Sequence, residues 1–188
     1  MPPKVKVTKK EIVAAALSLV RQNGPEALCA RSVAGALGCS TQPIFSNFTT
    51  MEELQNETIA AAYALYSDFL QREAQSGNFP TYKAYGMAYI RFAKEEKELF
   101  KLLFMRDRRG EDLSPSPDFL ASVELIMQAY GLSLDLAQKM HMELWACVHG
   151  IATMIATSFL VLDWDLIGSM ISDVFQGLRL KYEKEAQA

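Results

Sequence analysis

The chain is poor in the residues that do chemistry. Only two histidines, His141 and His149, and three cysteines, Cys29, Cys39 and Cys147, occur in 188 residues. The cysteines are odd in number and widely spaced, with no C-x-x-C pair, and no histidine stands near two of them in sequence. That spacing argues against a disulfide framework or a structural zinc site, so a reducing cytoplasm is expected and no metal or cofactor is. His141-Met-Glu143 lacks the second histidine of a zinc-protease helix. There is no G-x-S-x-G, no phosphate loop and no dinucleotide fingerprint, and Glu95-Glu96 reads as a helix-start charge pair, so catalysis is not expected. The longest apolar run, Ile151–Leu162, is broken by Thr153, Thr157 and Ser158, and its twelve residues are too few to span a bilayer. No membrane partner is expected. The start, Met-Pro-Pro-Lys-Val-Lys, has no apolar stretch after its charges and does not read as a signal peptide. No stretch alternates polar and apolar residues with period two, which leaves no candidate strand.

What is present is helical pattern and lopsided charge. Half the chain is apolar and 22% is charged, enough to build a core without staples. The net charge of -3 conceals a basic head. Residues 1–48 hold six basic against two acidic side chains, and the remainder 13 against 20. A head of that sign on an acidic body suits an anionic partner at the head alone, or simply a solvated charge cluster.

The helix signals are dense. Thr8-Lys-Lys-Glu11 and Thr50-Met-Glu-Glu53 read as capping boxes. Ile12, Ala15, Ala16, Leu19 and Val20 recur at helical spacing until Gly24-Pro25 stops them. A short helix over about 30–37 ends at Gly38, and Ser40 is expected to cap another over about 41–47. Further helices are expected at about 50–75, 79–93, 97–105, 118–130, 134–161 and 165–185, with a charged loop over 106–117. The expected fold is all-α with about nine helices. A small helix-turn-helix head (1–50) is expected ahead of a larger helical body (51–188).

The pair of short helices around Gly38-Cys39-Ser40 carries that assignment. Gly38 supplies a left-handed turn, and Leu37, Ile44, Phe45 and Phe48 supply the apolar contacts that set the crossing angle. The second helix is polar on its outer face, with Thr41, Gln42, Ser46 and Asn47 able to reach base edges and phosphates. By pattern alone the pair also fits a helical hairpin in any bundle. The residues Ile12–Leu17, Asn23-Gly24, Ala27-Leu28, Val33–Ser40, Ile44-Phe45-Ser-Asn-Phe48 and Met51-Glu-Glu-Leu54, however, resemble the DNA-binding domain of the tetracycline-repressor (TetR) family of transcriptional regulators.

The resemblance implies a homodimer that grips double-stranded DNA at a palindromic operator and lets go when a small molecule enters the body. The DNA-facing positions it implies are Lys9, Arg31, Ser40, Thr41, Gln42, Pro43, Phe45, Ser46, Asn47, Thr49 and Thr50. Gln42 is the best base reader, since glutamine can bond adenine through two atoms. Phe45, Asn47 and Met51 depart from the family, which usually has Tyr, His and Lys there to hold phosphates. Anchoring is then expected from Thr8, Lys9, Arg31, Thr41, Asn47, Thr49 and Thr50, with a basic tail at Lys4, Lys6, Lys9 and Lys10.

The last two long helices carry more apolar face than one small body needs. In the family such helices form a four-helix dimer interface, here expected at Ile151, Ile155, Phe159, Ile167, Met170, Ile171 and Val174. Trp145-x-x-x-His149-Gly150 resembles the motif of one C-terminal subclass. His149 reads either as a pocket wall or as a packed histidine with its hydrogen bond satisfied. A largely apolar effector is expected against Tyr66, Tyr89, Phe104, Met127, Trp145 and His149. The altered anchors also admit another reading, a helical dimeric adaptor with weakened DNA binding and no ligand response.

Overall fold

The computed structural model describes residues 7–77, 79–110 and 114–187. Among these, nine α-helices follow one another and no strand occurs: α1 Lys9–Asn23, α2 Ala30–Ala36, α3 Gln42–Asn47, α4 Met51–Gln75, α5 Thr81–Glu95, α6 Lys97–Phe104, α7 Pro117–Tyr130, α8 Leu134–Ala156 and α9 Trp164–Ala186. A 3-10 turn at Pro25–Ala27 joins α1 to the segment before α2.

By packing, the chain divides into two compact units. One runs to Asp68 and takes back Glu95–Asp107; the other holds Phe69–Lys94 and the chain from Arg108 onward. Helix α4 thus begins in the first unit and ends in the second, and α6 packs on α1 within the first.

The first unit is built on α1. Thr8 and Glu11 close the expected capping box: the Thr8 hydroxyl accepts from the Glu11 amide at 3.2 Å, and the Glu11 carboxylate accepts from the Thr8 amide at 2.8 Å. Ile12, Ala16, Val33, Ile44, Phe48 and Leu54 are at most 1% exposed and form one cluster from α1, α2, α3 and α4. Each large side chain among them contributes roughly 1.5–3 kcal/mol on burial. Helix α6 lies against α1, where Arg21 grips Glu96 through two guanidinium nitrogens.

The turn between α2 and α3 is fixed by the backbone. Gly38 has φ 64°; its amide donates to Gly35 O at 3.1 Å, and the Cys39 amide donates to Ala34 O at 3.0 Å. These two bonds make a Schellman close that needs a left-handed residue at this point. The cap of α3 differs from expectation. It is Thr41, and no side chain, Ser40 included, bonds the orphan amides. Pro43 in the first turn removes one amide that would otherwise need a partner.

The second unit is organised around α8, which packs on both α7 and α9. Ser116, Ser133 and Asp163 cap α7, α8 and α9 through their side chains. Helix α8 stops at Ala156, five residues short of the expected end. Ser158 takes φ 56°, its amide donates to Ile155 O at 3.0 Å, and the Phe159 amide donates to Met154 O at 2.9 Å. This is the same Schellman close with serine in the glycine place. The Thr157 hydroxyl donates to Thr153 O at 2.8 Å and satisfies another late carbonyl. The apolar stretch from Phe159 to Val161 is therefore exposed loop, with Val161 97% exposed. No single helix among the described residues is long and apolar enough to cross a membrane.

Candidate nucleic-acid interface and effector region

Helix α3 is held by its inner face. Ile44 and Phe48 are buried in the head core, which turns Gln42, Phe45 and Ser46 outward, at the spacing that places residues three and four apart on one face. Gln42 and Thr41 are exposed, and Phe45 is 52% exposed. The Ser46 hydroxyl donates back to Gln42 O at 2.9 Å, so its proton is committed within the helix.

Several expected phosphate anchors have work inside the chain. The Asn47 amide donates to Pro43 O at 2.8 Å and to Val7 O at 3.3 Å, tying the end of α3 to the segment before α1. The Lys9 ammonium bonds Glu57 at 2.8 Å and Glu53 at 3.4 Å and lies 5.0 Å from the Phe48 ring centre. The Glu57 bond holds the Lys9 pKa above its ordinary value. Glu53 accepts from the Thr49 amide at 2.8 Å while its own amide donates to the Thr50 hydroxyl at 3.1 Å. The Thr50 half of the second capping box thus forms as expected, while the reciprocal bond falls on the Thr49 amide instead of that of Thr50. The Thr49 amide is the main cause of a lowered Glu53 pKa. Met51 packs partly buried against the head core. Arg31 and Lys10 are exposed and form no ion pair among the described residues. Ser40 and Thr49 are exposed as well. Lys4 and Lys6 lie outside the described residues. Beyond the start of α4, an open groove lined by Thr50, Glu52, Glu53, Asn56, Glu57 and Ala60 presents acid. Among the described residues, the outward face of α3 is polar apart from Phe45, and carboxylates line the start of α4.

The expected effector residues fall into three groups. Tyr66 and Phe104 belong to the first unit, edge to face at 5.1 Å between ring centres, with Tyr63 6.0 Å from Phe104. Tyr89, Trp145 and His149 belong to the second. The Tyr89 hydroxyl and His149 Nδ1 share a hydrogen bond of 2.8 Å, and Trp145 stacks on the imidazole at 4.9 Å and 13°. Met127 packs elsewhere in that unit, against the cluster of Val123, Ile126, Met140 and Tyr182.

A second tyrosine–histidine pair repeats the first. The Tyr82 hydroxyl lies 2.8 Å from His141 Nδ1, and Phe119 meets the same imidazole edge-on at 4.7 Å. Tyr82 and Tyr89 are seven residues apart on α5; His141 and His149 are eight apart on α8. The two helices are thus stitched by two polar rungs, two turns apart. Burial pushes the His141 pKa down to about 4 and lowers that of His149. Burial likewise raises the Tyr82 pKa, so both partners of that rung stay neutral at pH 7. The two-turn spacing was the signal in the sequence, and it can be seen only once α5 and α8 are known to be neighbours.

The α8 and α9 positions expected at a dimer interface divide by exposure. Ile151, Ile155, Ile167 and Ile171 are at most 8% exposed and pack within the protomer. Met170 and Val174 are half-buried, and Phe159 is 76% exposed. The outward apolar residues of these two helices are Leu134, Met142, Trp145, Leu166 and Leu180, 40–60% exposed, with the Phe159–Val161 loop beside them in sequence.

Two short helices meeting at a left-handed glycine make a helix-turn-helix in the first unit. Residues 82–170 match the family model for the tetracyclin repressor-like C-terminal domain. Among solved structures, a TetR variant from Acinetobacter baumannii AYE in complex with minocycline is similar in fold. It is 16% identical, with a TM-score of 0.61, covering 97% of this chain and 100% of that one. No curated protein sequence matches. The likeness is thus to that family's C-terminal domain over residues 82–170, and to the repressor's fold over nearly the whole chain.

Proposed function

We propose that this chain is a dimeric, sequence-specific DNA-binding regulator, a repressor released from a palindromic operator by a small, largely apolar ligand in the cytoplasm. The observation that carries the reading is α3. Its inner face is locked by Ile44 and Phe48, which are at most 1% exposed, while Gln42 and Phe45 stand outward on a helix short enough to enter a major groove. Residues 1–50 then do the reading, and residues 51–188 bind effector and partner. The match of residues 82–170 supports the second role, and the fold neighbour was solved with a small molecule bound. The Trp145–His149 stack gives the subclass motif a physical content: Tyr89 fixes the imidazole and Trp145 covers it. The partner copy covers Leu166, Leu180 and the Phe159–Val161 loop, extending the α8–α9 pair.

The rival is an adaptor with weakened DNA binding. It is favoured by one observation, the engagement of Lys9 and Asn47 with groups of their own chain. Binding-site selection on random duplexes with the purified protein, with and without a small-molecule extract, separates the two. A regulator enriches an inverted repeat with half-sites about one helical turn apart. An adaptor enriches none.

A further inference from the structure

We propose that Phe45 is a specificity-determining residue that reads the C5 methyl group of a thymine in the operator; this rests on the regulator reading above. Phe45 is 52% exposed in the middle of a six-residue helix whose outer face is otherwise polar. Its neighbours on the inner face, Ile44 and Phe48, satisfy the head core without it. The ring has no donor, so it cannot hold a phosphate. In the major groove the apolar group offered at a base edge is the thymine methyl.

The spacing fits a reader. Gln42 precedes Phe45 by three residues and lies one turn away on the same exposed face. One helical turn rises about 5.4 Å, against a step of about 3.4 Å between base pairs. Phe45 therefore addresses a base pair one or two steps from the one that Gln42 addresses. The electrostatics sharpen the demand. Lys9 is neutralised by Glu53 and Glu57, the Asn47 amide is held by Val7 O and Pro43 O, and the start of α4 is acidic. With Lys9 and Asn47 so engaged, a larger share of operator preference falls to base edges. A half-site carrying an adenine for Gln42 and a thymine one or two steps away is the chemical signature.

The test uses the full-length protein and its selected operator. Each thymine is replaced in turn by deoxyuridine, which removes only the methyl. Loss of one buried methyl contact weakens binding about fourfold, and symmetric replacement in both half-sites about 15-fold. Wild type should show this at one thymine per half-site. Phe45→Ala should bind the thymine and uracil duplexes alike, and Phe45→Tyr, which keeps the ring, should still discriminate. Wild type that binds its operator yet ignores uracil at every position overturns the Phe45 assignment and leaves the regulator reading standing. Discrimination that survives in Phe45→Ala overturns it too. A wild-type protein that selects no duplex removes both.

Discussion

The Tyr82–His141 rung makes a pH prediction that can be worked through. In the fold His141 titrates at about 4 because burial disfavours its charged form, and its exposure is only 9%. In the unfolded chain a histidine titrates near its ordinary value of about 6.5. Between those two values the unfolded state binds a proton that the folded state refuses. Stability from this group is therefore whole above about pH 6.5 and drains away as pH falls toward 4. The full loss is about 3 kcal/mol, of which about 2 kcal/mol falls between pH 7 and pH 5. His149, also lowered by burial, adds to it with the same sign. The lowered carboxyls of Glu11, Glu53 and Glu143 act at lower pH, below their unfolded value near 4.5. Asp118, raised by burial, works in the opposite direction. The assay is urea unfolding at fixed protein concentration, at pH 7 and pH 5. With a slope of about 2 kcal/mol per molar urea, the wild-type midpoint should fall by about 1 M. His141→Asn keeps an acceptor for the Tyr82 hydroxyl and does not titrate. It should be less stable at pH 7 and lose most of the further drop. A variant that keeps the whole drop would refute the reasoning.

Three further outcomes follow from the geometry. Gly38→Ala, whose new Cβ would meet nothing within 4 Å, should cost roughly 1 kcal/mol through its left-handed backbone alone, read as a lower thermal midpoint. Ser158→Gly relaxes the same conformation at the end of α8 and should gain roughly 0.5–1 kcal/mol in the same measurement. Leu166→Asp places charge on the outward face of α9 and should give monomers by sedimentation at micromolar concentration while leaving the fold intact. Charge at Ile155, 8% exposed within the protomer, should instead unfold it.

Much of the fold was written in local pattern. Thr8 and Glu11 announce the start of α1, and Gly38 announces the turn between α2 and α3, because caps and left-handed glycines act within a few residues. The end of α8 was not legible. Ser158 carries a backbone conformation usually given to glycine, and the run from Ile151 to Leu162 is apolar on both sides of the break. Exposure was not legible either. Ile151, Ile155, Ile167 and Ile171 share a helical face, but periodicity cannot say whether that face meets a neighbour in the chain or a second copy. The internal pairing of Lys9 was not legible for a related reason. Lys9 meets Glu53 and Glu57, 44 and 48 residues away in sequence, and no local rule sees that pairing. The two tyrosine–histidine rungs are likewise contacts across about 60 residues.

The central claim is that α3 reads base edges, and Gln42 tests it most directly. The measurement is the affinity of wild type and Gln42→Ala for the selected operator and for random duplex of equal length, at one salt concentration. A base-reading Gln42 loses roughly 1–3 kcal/mol on the operator when truncated and nothing on random DNA. An equal loss on both would make Gln42 a phosphate contact and contradict the account.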